Sequence, residues 1–290
     1  MKGMVFLFSL ISLFSFSAYS AEYAIEQVKG NVYRFTAGNY HSVFVTTEQG
    51  TIVTDPISPD AATYLRQYLS EKKLLPVSYM LYSHNHTDHV SGGEQLAGTE
   101  TVVVAHQLAA RDIAFTRLPT RQPDITFNDE LAVTSGSTQV QLAYHGENNG
   151  KGSVSYLIQP AGVLHVVDWI VVGRLPYKDL PGYDIQGMIS STKAVLNRYD
   201  FEVFVGGHAD IGTRADIEHY LAYLEALYSA VRDGMLAGKT LAELQQSMTL
   251  EQFSDLKMYN EWLADNIKGV YQSLVDDSYF NFRADLDTTY

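Results

Sequence analysis

Residues 77–89, VSYMLYSHNHTDH, join an apolar run to four side chains able to bind a metal, His84, His86, Asp88 and His89, all within six residues. The run 77–83 reads as a buried strand. Extended chain sends residues i and i+2 to the same side, so His84 and His86 can grip one cation together. Asp88 and His89 follow once the chain has begun to turn, and they point toward a second, neighbouring position. One short stretch can therefore seed two metal sites.

Two adjacent metals need more than four ligands, and the rest of the chain supplies candidates at the ends of separate strand-like segments. His145 closes the run 138–144, Asp168 ends the apolar run 162–167, and His208 follows 201–207. Imidazole nitrogen suits a borderline cation, and a carboxylate can bridge two. Five of the nine histidines fall at these places. For residues 84–89 the competing reading is a solvated polar loop, but nothing structural requires four such side chains to converge. For Asp168 it is a turn cap, and for His145 and His208 a hydrogen-bonded loop histidine. Of the other histidines, His106, His165 and His219 read as structural. His41 is the exception, because the hairpin holding it can overlie the metals.

The motif HNHTDH, followed by a lone His, an Asp after a hydrophobic strand and a Gly-Gly-His, resembles the metallo-β-lactamase superfamily from about Asn31 to about Leu224. The resemblance implies an α/β (α+β) fold, an αββα sandwich of two mixed β-sheets flanked by helices, with metals at the edge where the sheets meet. It implies one zinc on His84, His86 and His145, another on Asp88, His89 and His208, and Asp168 bridging the two. Asp55, after the strand 51–54, matches an aspartate that supports the ligand loop from behind. Some details differ. Val167 stands where many relatives have Gly, Gly206-Gly207-His208 where many have Pro-Gly-His, and Gly146-Glu147-Asn148-Asn149-Gly150 where a hydroxyl residue often follows the third histidine. The absence of cysteine makes zinc β-lactamases with a Cys ligand a poor match.

Composition narrows the setting. A formal charge of −13 opposes nucleic-acid phosphates and anionic bilayers. Residues 1–20 read as a signal peptide: Lys2 opens it, the apolar stretch 4–16 is too short to span a bilayer, and Ala18-Tyr19-Ser20 offers small residues before Ala21. Zero cysteines exclude disulfides and a lipidated N-terminal cysteine. The expectation is a periplasmic or secreted protein with a small-molecule substrate, no nucleic-acid partner and no stable membrane anchor. Residues 21–235 are read as the catalytic domain and 236–290 as a helical C-terminal extension packed on it. The sequence leaves the oligomeric state open.

Local signals fill in the elements. Residues 23–36 read as a hairpin about Gly30-Asn31, and 41–46 with 51–54 as a second. Ser58 with Pro59 starts a helix. Strands are expected over 101–105, 131–134, 140–144, 154–158 and 163–167, a helix over 107–115, and irregular chain up to Asp124. Thr213 caps a helix over 214–235, Thr240 and Glu243 form a capping box, and 258–275 is helical. In the loop 169–183, Arg174, Tyr177 and Lys178 are candidate substrate contacts, as is His41 on its hairpin.

Two adjacent cations would bring the pKa of a water from about 16 toward 7 and make a nucleophile for a carbonyl-type carbon. Asp88 would orient it. The expected activity is hydrolysis of an ester, lactone, thioester or cyclic amide. The alternatives are a β-lactamase specifically, a mononuclear iron oxygenase acting on persulfides, and a metal-binding protein without turnover.

Overall fold

The structure is a computed structural model that describes residues 23–290; the expected signal peptide over 1–20 lies outside the described residues. Seven strands make the first sheet, in sequence order: β1 (Tyr23–Lys29), β2 (Val32–Ala37), β3 (Tyr40–Thr47), β4 (Gly50–Val53), β5 (Val77–Leu81), β6 (Val102–His106) and β7 (Ile125–Phe127). Hairpins keep β1 to β4 antiparallel, and β4 to β7 run parallel. Parallel neighbours need a crossover. The crossovers are α1 (Pro59–Glu71), then α2 (Thr87–Val90) with α3 (Gly93–Leu96), then α4 (Gln107–Thr116). Ser58 caps α1 by accepting from the Ala61 amide at 3.2 Å, with Pro59 in the first turn.

The second sheet has six strands in the order β13-β12-β11-β10-β9-β8, where β8 is Glu130–Ser135, β9 Thr138–Tyr144, β10 Val154–Gln159, β11 Val163–Val166, β12 Val203–Gly206 and β13 Ile211–Gly212. Helix α5 (Ile185–Arg198) carries the parallel crossover from β11 to β12. Helices α6 (Arg214–Leu236), α7 (Leu241–Ser247) and α8 (Tyr259–Asp277) follow. The capping boxes at Thr213 and Thr240 are both formed.

Period-2 alternation sorts the strand residues into layers. Val43, Val45, Leu81, Val140, Leu142, Tyr156, Val163 and Val205 meet between the sheets. Phe35, Phe44, Val53, Met80 and Val103 pack outward on Leu65 and Leu69 of α1. Leu157, Leu164 and Val166 pack outward on α5, α6 and α8 through Met188, Leu224 and Val270. This is the αββα sandwich.

Helix α5 and strand β7 are among the elements with no clear sequence signal. The buried face of α5 includes Ser191 and Thr192, which interrupt its apolar periodicity; Thr192 donates to the Met188 carbonyl at 2.7 Å and so satisfies its hydroxyl inside the helix. Strand β7 has three residues, too few for alternation to register. The C-terminal helices also gain a role that the sequence left open. Asn266 of α8 is fully buried; it donates to the carbonyls of Pro176 (3.1 Å) and Lys178 (2.6 Å) and accepts from the Tyr223 hydroxyl (2.7 Å). Helix α8 thereby fixes the loop after β11.

His165 on β11 is fully buried, donates from Nδ1 to the Val205 carbonyl at 2.8 Å and stacks on Tyr156. Burial lowers its pKa to about 4, from 6.5. The folded chain therefore holds a neutral ring that the unfolded chain protonates more readily. Stability from this group is complete above pH 6.5 and is lost as the pH falls toward the folded value, by about 3 kcal/mol. Urea midpoints measured from about pH 7 down to about pH 4 should fall, and His165→Gln should make the decline shallower; an identical slope in the variant would refute the assignment.

Candidate metal centre

Beyond β5 the chain continues in an irregular path into α2, and this turn aims the motif. His84 and His89 are fully buried, His86 is partly exposed, and Asp88 is exposed. The rings of His84, His89 and His208 have polar groups behind them. His84 Nδ1 donates to Ser83 Oγ at 2.8 Å, and Ser83 gives its hydroxyl and its backbone amide (2.8 Å) to the buried Asp55 carboxylate. His89 Nδ1 lies 3.6 Å from Asp55 Oδ2. His208 Nδ1 donates to the Asn39 carbonyl at 3.1 Å. These partners leave Nε2 of all three rings facing inward.

They face Asp168. It follows β11 with φ +69°, a left-handed conformation that Asp tolerates better than most residues. His84 Nε2 (3.0 Å) and His86 Nδ1 (3.2 Å) approach its Oδ2; His208 Nε2 (2.9 Å) and His89 Nε2 (3.2 Å) approach its Oδ1. Two ligand triads result, His84-His86-Asp168 and Asp88-His89-His208, the ligand atoms of each lying within 4.8 Å of one another.

The donor chemistry fits dications. His89 Nε2 and His208 Nε2 lie 3.0 Å apart, with both Nδ1 atoms turned outward, so two lone pairs or two protons confront each other unless a cation or a shared proton lies between them. Burial favours a neutral Asp168, yet the surrounding imidazoles, His89 foremost, override it and hold the carboxyl well below the usual range. Burial likewise lowers the His84 pKa, keeping a lone pair available for a metal. Burial opposes charge on His89 too, but Asp168 and Asp55 together raise its pKa well above the ordinary value. Imidazole nitrogen with carboxylate oxygen suits zinc or a similar dication.

His145, expected as the third ligand of the first metal, is not brought to this cluster. Its Nε2 pairs with Ser155 Oγ at 2.8 Å and its ring lies beside Trp169 and Tyr199. The cause is strand alternation: His145 shares a side with Ala143, which packs in the helix-facing core. Burial beside Arg198 lowers its pKa to about 4. Asn149 arrives instead. It is 1% exposed, donates from Nδ2 to Asp168 Oδ2 at 2.9 Å, and its Oδ1 is buried without a partner. The one signal for it in the sequence is the amide pair Asn148-Asn149 just beyond a strand end.

A cleft of about 490 Å³ opens over the cluster. His86, Asp88, Asp168 and His208 lie on its metal side, with Tyr40, Arg174, Tyr177, Tyr183 and Trp262 around it. Arg174 is half-buried, its Nε has no partner, and its guanidinium stands 5.3 Å from the Trp262 ring. Among the described residues it forms no ion pair. Lys178 is exposed, with its ammonium 5.1 Å from the Tyr177 ring, and lies outside the lining. His41 Nδ1 turns to Thr36 Oγ1 at 3.0 Å, so its neighbour Tyr40 lines the cleft in its place. Trp262 and Tyr183 had not been singled out, since only the fold brings α8 and the residues before α5 here.

The profile of the metallo-beta-lactamase superfamily matches residues 35–208. The chain belongs to this superfamily. Among its relatives, the 2,4-dinitroanisole O-demethylase subunit alpha of Nocardioides sp. (strain JS1661) is 26% identical over 238 residues, which is 81% of this chain and 69% of that protein. A metallo-beta-lactamase from Pontibacter korlensis superposes with a TM-score of 0.63 at 20% identity, covering 70% of this chain and 99% of its own. The DIM-1 metallo-beta-lactamase gives 0.61 at 19%, covering 71% and 98%. These two share the fold.

Ligand that binds only the folded chain stabilises it, by about 2.7 kcal/mol at a hundredfold excess over Kd. Zinc added to chelator-stripped protein should therefore raise the thermal midpoint, and Asp168→Asn should abolish most of that rise; an equal rise in the variant would mean that zinc binds elsewhere.

Proposed function

We propose that this protein is an exported binuclear zinc hydrolase that cleaves an ester, lactone, thioester or cyclic amide bond of a small molecule. The observation that carries the reading is the pair of ligand triads around Asp168 at the floor of a cleft of about 490 Å³, a size that suits a small-molecule ligand. Bound dications supply Lewis acidity and make water acidic enough to serve as a nucleophile near neutral pH. His84, His86 and Asp168 would hold one, and Asp88, His89 and His208 the other.

The chain's own residues divide the remaining work. Asp88 lies in the cleft wall and is exposed, so its carboxylate can orient the attacking water and pass a proton to the leaving group. Arg174 offers a partly desolvated guanidinium with no acidic partner among the described residues, suited to an anionic substrate group. Burial raises the pKa values of the Tyr40 and Tyr183 phenols, so both stay protonated and can donate to a developing oxyanion. Export rests on Lys2, the apolar stretch and Ala18-Tyr19-Ser20; no helix among the described residues is long and apolar enough to cross a membrane. Assembly of the Asp88 triad favours two metals over the single iron of an oxygenase.

A second reading takes its support from the aromatic walls and from the relative whose name describes demethylation at the oxygen of 2,4-dinitroanisole. It is cleavage of an activated aryl ether in the same cleft. A panel of lactone, β-lactam, aryl ester, thioester, phosphodiester and 2,4-dinitroanisole, run before and after chelation and beside elemental analysis, separates the readings. Chelator-sensitive turnover of a carbonyl substrate with about two zinc per chain is expected; one iron per chain, or no turnover across the panel, would overturn the proposal.

Two substitutions probe the roles. Asp88→Asn should leave the fold intact and reduce kcat by roughly a hundredfold or more; unchanged kcat would remove Asp88 from the reaction. Arg174→Gln should raise KM for anionic substrates while leaving neutral ones nearly unaffected, and an equal change for both would point to a structural role.

A further inference from the structure

The loop 145–153 between β9 and β10 delivers an amide to the metal cluster where an imidazole was expected. Asn149 Nδ2 touches Asp168 Oδ2, the same carboxylate oxygen that His84 and His86 face. The position is built rather than incidental. The Asn149 backbone amide donates to Asn148 Oδ1 at 2.6 Å, its carbonyl accepts from Ser153 Oγ at 2.7 Å, and Asn148 is held in turn by Ser191 of α5 at 3.2 Å. Asn149 Oδ1, on the other side of the amide, is buried and makes no hydrogen bond, so nothing there fixes which end of the amide faces Asp168. His145 does not compete, because Ser155 holds its Nε2.

Resting on the reading of this cluster as a metal centre, we infer that Asn149 Oδ1 completes the first metal position, which becomes a site of two imidazoles and two oxygens built from His84, His86, Asp168 and Asn149. Rotation about the last side-chain torsion exchanges Nδ2 and Oδ1, so a cation drawing on Asp168 Oδ2 meets the amide oxygen at the same place. A neutral amide oxygen is a poorer donor to zinc than imidazole and favours harder ions such as manganese. The second position keeps two imidazoles and the Asp88 carboxylate. The two positions are therefore unequal in their donors, and only the first depends on residue 149.

The test is metal binding, read without turnover. Metal-free full-length protein is titrated with Zn2+ and, separately, with Mn2+, bound metal being measured by equilibrium dialysis and elemental analysis and folding by circular dichroism. Wild type should bind two zinc ions, with Mn2+ competing at one of them. Asn149→Asp, nearly isosteric and anionic, should tighten one of the two zinc ions by about tenfold or more; Asn149→Ala should weaken the same one and spare the other; His145→Gln should change neither. The inference is overturned if His145→Gln weakens a zinc, or if both Asn149 variants bind as wild type does. Should the Ala variant fail to fold, the Asp variant still decides. If wild type binds no metal at all, the metal-centre reading fails with it, which is a different result from two zinc ions indifferent to Asn149.

Discussion

Electrostatic convergence on Asp168 governs the arrangement of this molecule. Four imidazole nitrogens stand within 3.2 Å of its two carboxylate oxygens, in an interior where unmatched polar groups are expensive. Such a cluster persists when its buried rings are backed by polar partners and the inward-facing atoms share a cation or a proton. Asp55, Ser83 and the Asn39 carbonyl supply the outer partners. Both sheets must end at one place for this to occur. The loop after β5 comes from the first sheet, and the residues after β11 and β12 come from the second.

The same convergence assigns work to the C-terminal part of the chain. Helix α8 buries Asn266 against the carbonyls of Pro176 and Lys178, which sets the course of the segment carrying Arg174 and Tyr177. It also places Trp262 in the cleft wall, with the Arg174 guanidinium over its ring. A contact of this kind becomes more favourable as it is desolvated. The helices beyond α6 therefore shape the region in which a substrate would be recognised.

The metal motif and much of the layering were legible because they are local. HNHTDH places four ligands on consecutive turns of chain, and Ser58-Pro59, Thr213 and Thr240-Glu243 announce helix starts through hydrogen bonds made within a few residues. His145 lies away from the cluster for a reason that is also physical. Strand alternation sends His145 to the helix-facing side with Ala143, and a residue four positions later in an irregular loop reaches Asp168. No periodicity exists in such a loop to show which side chain turns inward. Helix α5 escaped notice because its buried face uses Ser191 and Thr192, whose hydroxyls are satisfied by the carbonyls of His145 and Met188.

By itself the sequence determined that a predicted strand leads into two histidines with an aspartate-histidine pair beyond them and that further strand ends offer Asp168 and His208; the αββα sandwich that carries them was implied by the resemblance of these motifs to a known family. The local placements follow from chain geometry over a few residues. Tertiary structure alone decided that Asn149 rather than His145 stands at Asp168, that His41 turns away from the cleft to Thr36, and that Arg174 lies over Trp262. These depend on where separate elements meet in space, and there burial and hydrogen-bond satisfaction across long sequence separations outweigh local pattern.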